Sequence, residues 1–163
     1  MSLQIRKEVQ ALSRAPELSD QSAAPMVASN SNVVVGLILD GQGRVLVSQR
    51  ATGAHMGGFW EFPGGKQKAL EGRQEALERE LKEELGIQVL EAQPLMVLKH
   101  DYPDRCVCLD VFLVQTYEGQ PASLECQAIA WILPRDLRNV RFLPADKPII
   151  EALISRDECP RWE

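Results

Sequence analysis

No run in this 163-residue chain approaches the roughly 18 apolar residues of a membrane span. The longest apolar stretch, Val33 to Leu39, is interrupted by Gly36 and stopped by Asp40. Positive charge is not in excess. The net charge is −5, which argues against non-specific binding to a nucleic-acid backbone, and no direct DNA contact is expected. Cysteine is scarce, with four residues and no CxxC pair, so neither a zinc site nor a disulfide framework is expected. Cys106 and Cys108 lie two apart in an apolar run and read as small buried residues on one strand face. Residues 1–25 hold no continuous apolar core, so a secretory leader is not expected and a reducing cytoplasm is the expected compartment. Internal repeats are also lacking.

What is present suits one ordinary domain with a tail: 45% hydrophobic and 25% charged residues. Residues 13–32 are rich in Ser, Ala, Pro, Asn and Gln, and read as a linker or arm. Leu3, Ile5, Val9 and Leu12 ahead of it are spaced for a short amphipathic helix. The expected division is an arm over 1–31, a folded domain over 32–157 and a tail over 158–163.

Within the domain, Val33–Leu39 reads as a buried strand and Arg44–Gln49 as its hairpin partner across Asp40-Gly41-Gln42-Gly43. A glycine-rich loop follows from Gly53 to Gly65. The pattern then predicts a helix over Arg73–Leu85, closed by Gly86. Strands are expected at Leu95–His100, Cys106–Tyr117 and Ala128–Leu133. A helical turn is expected at Pro134–Leu137 and a last helix at Pro148–Ser155, with proline in its first turn. Strands interrupted by helices indicate an α/β layered fold.

The helix over 73–85 carries the chemistry. Between Glu71 and Glu84 lie six acids and three bases, so this segment holds −3 of the −5. At about 100° per residue, Leu77, Leu81 and Leu85 fall at about 0°, 40° and 80°. Glu83, Glu80 and Glu84 fall at about 240°, 300° and 340°, a neighbouring stripe. Like charges spaced i, i+3 and i+4 repel, and partial burial would make them costly without a counter-ion. A hard divalent cation with oxygen ligands, such as Mg²⁺, relieves this. The preceding turn, Trp60-Glu61-Phe62-Pro63-Gly64-Gly65-Lys66, has two glycines that let backbone approach a metal or phosphate. It is not a P-loop: Gln67 stands where Ser or Thr is needed. The plain alternative is a solvated acidic helix face, or one that docks another protein. Either explains a few glutamates but not Gly65, Arg79 and Gly86 as well.

Gly65, five residues, Glu71, seven residues and then Arg79-Glu80-Leu81-Lys82-Glu83-Glu84-Leu85-Gly86-Ile87 fits every fixed position of the Nudix box. The chain therefore resembles the Nudix hydrolases. Gln49-Arg50-Ala51, Ala54-His55-Met56, Trp60–Lys66, Tyr102–Arg105, Glu125-Cys126-Gln127 and Phe142–Ile150 are similar to the bacterial MutT-type branch, which sanitises oxidised nucleotides.

That resemblance implies a Nudix fold, an α/β/α sandwich around a mixed β-sheet with the box helix carrying the carboxylates. It implies Mg²⁺ (or Mn²⁺) as cofactor and a nucleoside triphosphate, 8-oxo-dGTP foremost, cut to monophosphate and pyrophosphate. Glu80, Glu83 and Glu84 are the implied metal ligands, with the Gly64 carbonyl and Glu125. Glu80 is the first choice for general base and Glu125 the second, while Arg79 orients a carboxylate and Glu71 tethers the loop. Lys66 or Arg50 is implied at phosphate. Arg50, His55, Glu61, Phe62, Pro63, Gly64, Arg105 and Asp146 match substrate-contacting positions. Asp146 stands where the best-known MutT enzymes have Asn. An ionised carboxylate only accepts hydrogen bonds, whereas a protonated one also donates, so the base identity stays open between an oxidised purine and a pyrimidine. A Nudix-fold binding module without turnover is disfavoured, because every box carboxylate is present. Simpler roles stand beside these: His55 as a loop-ordering residue, Trp60 and Phe62 as core lids, Arg105 as a surface turn residue and Trp131 as core. His100 is not expected to catalyse. Trp162 is expected in a loose tail, and the oligomeric state is not legible.

Overall fold

A computed structural model of the chain describes residues 29–126 and 128–158. The expected helix near Leu3–Leu12, Cys159, Trp162 and most of the expected arm and tail lie outside the described residues. The elements in order are β1 Ser29–Ile38, β2 Val45–Gln49, β3 Trp60–Glu61, β4 Gly64–Lys66, α1 Arg73–Leu85, β5 Gln88–Tyr102, β6 Arg105–Glu118, β7 Ala128–Ile132 and α2 Lys147–Glu158. Two short 3₁₀ turns, Pro134–Asn139 and Pro144–Asp146, precede α2.

The strands form two sheets, the larger of them the expected mixed sheet. The larger runs β4-β1-β6-β5, and the smaller β3-β2-β7. In the larger, β1 is parallel to β6 and antiparallel to β4, so this sheet is mixed. An isolated bridge, Leu39 to Val45, joins the two sheets at the turn between β1 and β2. Asp40 holds that turn by accepting from the Gln42 and Arg44 N–H groups, each at 2.9 Å.

Strand alternation divides the core in two. Val34, Ile38 and Leu46 face Ala76, Leu77, Leu81 and Leu85 of α1. Val35, Leu37, Val45 and Val47 face the other way, with Ile149, Ile150, Leu153 and Ile154 of α2. The helices therefore cover opposite sides of the strands, an α/β/α sandwich. Trp131 is half-buried against the α1 side.

Four expectations need correction. The glycine-rich loop contains β3 and β4, two strands too short to show a period. β5 extends over 15 residues, not six, and runs through Pro94 with register shifts on both sides. It is an edge strand, where a missing N–H and bulges are tolerated. β1 begins at Ser29, because residues 29–32 pair with 105–108 of β6 despite their polar sequence. For the same reason Cys106 and Cys108 are half-buried rather than buried: the sheet there outruns α1.

Candidate active site

Helix α1 sets the site by where it starts and stops. Its first turn is closed by the Glu75 carboxylate, which accepts from the Gly72 N–H at 2.9 Å. Its end is set by Gly86, at φ 72°, whose N–H reaches the Lys82 carbonyl at 3.0 Å. With the leucine stripe buried at 0% exposure, the Glu80, Glu83 and Glu84 stripe must flank the core beside β4. The turn closes tightly on it. A Cβ on Gly65 would fall 2.3 Å from the Glu80 carboxylate, and one on Gly64 would fall 1.9 Å from the Val34 carbonyl oxygen. Only glycine leaves this much room.

At one end of the stripe, charge is saturated. Arg79 donates to both Glu71 oxygens, at 2.6 and 3.0 Å, and to the Lys66 carbonyl at 3.0 Å. Its Nη1 also donates to Glu80 at 2.7 Å and to Glu83 at 3.2 Å. The Arg79 bonds and the Lys68 N–H pull the Glu71 carboxyl down to about 2. The same Glu71 and Glu80 bonds push Arg79 further up.

At the other end it is not. Glu84 accepts from the Gly64 N–H at 3.3 Å. Burial, then the Glu61, Glu80 and Glu125 carboxylates, push Glu84 up to about 8 against that one favourable bond. Glu61 is raised as well, by burial, although Arg50 lies against it at 3.0 Å. Asp146 is 4% exposed, and its Oδ2 has no hydrogen-bond partner. Burial and Glu61 push Asp146 up to about 8, while the Phe62 N–H and Arg50 pull the other way.

Tertiary contacts bring these distant residues together. Trp60 N–H donates to the Arg141 carbonyl at 2.8 Å, and the Leu143 N–H donates to the Trp60 carbonyl at 3.0 Å. This clamp lays residues 60–62 against 141–146 and puts Glu61 between Glu84 and Asp146. Phe62 packs on Phe142 with ring centroids 5.2 Å apart, so its side chain is core and its backbone serves Asp146. Pro63 is buried, and its carbonyl accepts from the Gly36 N–H at 2.8 Å. Arg50 also donates from Nε to the His55 carbonyl at 2.8 Å, which folds the 51–58 loop beside Glu61.

Tyr102 joins this cluster, although sequence reasoning did not single it out. It pairs with Arg105 across the β5–β6 hairpin. The Arg105 guanidinium lies 5.4 Å from the Tyr102 ring centroid, and the buried Arg105 Nε has no partner. His55 meets the same ring edge-on at 6.4 Å, and the Ala145 N–H points at its phenol oxygen. The available signal was an aromatic residue flanking a two-residue Pro103-Asp104 turn.

The donor set fits a hard cation. It consists of oxygens, it has excess negative charge at Glu84, and glycine backbone lines it. Among the described residues no three His, Cys, Asp or Glu side chains already close around one point, because Glu80 and Glu83 lean on Arg79 instead.

Comparison with known proteins agrees with this geometry. The NUDIX domain model matches residues 34–152. An 8-oxo-dGTP diphosphatase of Proteus vulgaris is 44% identical over 89 residues, 55% of this chain and 80% of the relative. A CTP pyrophosphohydrolase of Escherichia coli is 33% identical over 122 residues, 75% of this chain and 90% of the relative. A solved MutT structure, from work on the Aliivibrio salmonicida and Vibrio cholerae proteins, superposes with a TM-score of 0.67 at 36% identity, covering 78% of this chain and 99% of that one. With a family model spanning most of its length and a box helix placed against a double-glycine turn, the chain belongs to the Nudix family.

Proposed function

We propose that this protein is a MutT-like nucleoside triphosphate pyrophosphohydrolase that depends on Mg²⁺, with Mn²⁺ as a substitute. The preferred substrate is an oxidised purine deoxynucleotide, 8-oxo-dGTP, cut to monophosphate and pyrophosphate. The carrying observation is the acid cluster at Glu84, short of counter-charge, with the buried, unpartnered Asp146 oxygen in the same group of carboxylates around Glu61. A cluster of this kind suits a divalent cation, and the unpartnered Asp146 oxygen suits a ligand with hydrogen-bond donors on its edge.

Glu80, Glu83, Glu84, Glu125 and the Gly64 carbonyl would hold the metal. When bound, the cation neutralises phosphate charge and polarises the anhydride, the main need in phosphoryl transfer. Arg79 keeps Glu80 and Glu83 oriented. Water adds to a phosphorus, the bridging P–O bond breaks, and the water proton passes to Glu80, with Glu125 second in line. Lys66 is close enough to the turn to meet phosphate. Arg50 has two of its donors committed to Glu61 and His55, so it orders the pocket wall as well.

The base edge is read by Asp146, with Arg105, Tyr102 and His55 around it. A raised carboxyl can donate as well as accept. Such a group suits a purine edge that offers an acceptor at O6 and donors at N1, N2 and N7. A pyrimidine triphosphate is the second reading, favoured by the CTP-hydrolysing relative and by the amino donor that cytosine offers Asp146. The substrate source is the free nucleotide pool of the cytoplasm, without direct DNA contact; no described helix is long and apolar enough to cross a membrane.

Metal-dependent hydrolysis of normal and oxidised nucleotides, with products identified, tests this. The expected result is a higher kcat/KM for 8-oxo-dGTP than for dGTP or dCTP derivatives, with pyrophosphate released. Orthophosphate as the sole inorganic product would refute the assigned bond.

A further inference from the structure

The last turn of α1 is satisfied in an unusual way. Its last four carbonyls, Lys82 to Leu85, have no donor within Arg73–Leu85, and three of them find one beyond the end. Gly86 N–H serves Lys82. The other two donors come from the β6–β7 connection: Leu124 N–H reaches the Glu84 carbonyl at 3.0 Å, and Ala122 N–H reaches the Leu85 carbonyl at 3.0 Å. This segment turns at Gly119, φ 93°, where an added Cβ would sit 3.3 Å from the Gly86 carbonyl oxygen. The exposed Leu124 side chain lies over Gly86, its Cδ1 3.2 Å from where a Cβ would be. Ser123 Oγ then donates to the Cys126 carbonyl at 2.8 Å, closing a turn around Glu125. Glu125 is thus the residue right after the one bonded to the Glu84 backbone.

We propose that residues 119–126 form a strap on the end of α1 and that Leu124 is a positioning residue, which sets Glu125 against Glu84 and so completes the cation's donor set. Leu124 combines two contacts, a backbone N–H on Glu84 and a side chain over Gly86. Glycine at 86 therefore does more than stop the helix: it leaves the surface on which the strap lies. The inference rests on the metal-binding reading above and assigns a role to residues outside the box.

Mn²⁺ titration followed by electron paramagnetic resonance tests it on the full chain, independently of turnover. Leu124→Pro deletes the N–H, Leu124→Ala deletes the cover over Gly86, and Leu124→Met keeps both. Leu124→Pro is expected to weaken Mn²⁺ binding by about as much as Glu125→Gln, and the double variant by no more than either. Leu124→Met is expected to match the unmutated protein. Unchanged Mn²⁺ affinity in Leu124→Pro, or additive losses in the double variant, would overturn the strap. Should Leu124→Pro fail to fold, hydrogen exchange decides the matter in the unmutated protein: Mn²⁺ is expected to slow exchange at the Ala122 and Leu124 amides, and no slowing would count against the role. Unweakened Mn²⁺ binding by Glu83→Gln and Glu84→Gln would instead sink the metal-binding reading itself.

Discussion

The two ends of the acidic stripe hold similar residues and behave oppositely. At the Glu71 end, one guanidinium binds Glu71, Glu80 and Glu83, and the carboxyl of Glu71 stays well below its ordinary range. At the Glu84 end, Arg50 pairs with Glu61, Glu84 accepts from the Gly64 backbone N–H, and both Glu84 and Asp146 rise to about 8. Side-chain type does not separate the two regions; the supply of counter-charge does. The saturated end is balanced by a side chain of the protein itself. The other end is electrostatically incomplete, and that incompleteness is what a cation and a nucleotide remove.

Breaking the incomplete end should have the largest effect. Glu84→Gln is expected to lower kcat/KM by about 10²–10³-fold, and Glu83→Gln, although it sits at the saturated end, by a similar factor because it would also ligate the cation. The thermal midpoint should not fall for Glu84→Gln, because the amide removes a buried repulsion. A large drop in stability would mean that Glu84 is structural. Arg79→Ala should cost less, about 10–100-fold in kcat/KM, since it disorients ligands without removing them. It should also make stability less dependent on pH in acid. The depressed Glu71 carboxyl gives stability that is complete above its ordinary value near 4.5 and is lost as pH falls toward about 2. Denaturation curves in that window should therefore steepen in the unmutated protein and flatten in Arg79→Ala.

pH sharpens the comparison from the other side. The raised Glu84 carboxyl favours the folded protein below about 4.5, and this advantage is lost as pH rises to about 8. A cation must displace that proton, so Mg²⁺ affinity should climb by up to about tenfold per pH unit between about 6 and 8. A thermal shift by Mg²⁺ that is equal at pH 6 and pH 9 would contradict the assignment. Asp146→Asn should change the ratio of kcat/KM between 8-oxo-dGTP and a dCTP analogue by roughly 10-fold or more, with little change in Mg²⁺ dependence. The smallest effect belongs to the saturated end. Leu70 is fully exposed at φ 64°, a strained conformation for leucine. Leu70→Asn should raise stability by less than about 1 kcal/mol and leave kcat/KM unchanged.

Much of this was legible in the residues. Leucines at 77, 81 and 85 fixed the buried face of α1, and so fixed where the glutamates point. Gly65, Glu71, Arg79 and Gly86 announced the box at once, and the structure joins Glu71 to Arg79 directly. β3, β4 and the first half of β5 were not legible. The first two are too short for a period, and β5 carries Pro94 and polar residues that only an edge strand accommodates. Tyr102 stood only within the Tyr102–Arg105 segment, and the structure placed its ring against Arg105 and His55.

Sequence alone determined which residues of α1 and of the longer apolar strands share a face, because helix and strand periods are local properties of the chain. It also determined the acid count and the glycine pair that makes room for it. Only the tertiary structure decided which acids are neutralised. Arg79 reaches its partners within its own helix and the adjoining loop, whereas Glu61, Glu84 and Asp146 meet because Trp60 pairs with residues 141 and 143. Burial and the distance to the nearest counter-charge are set by such long-range contacts, and no local pattern encodes them.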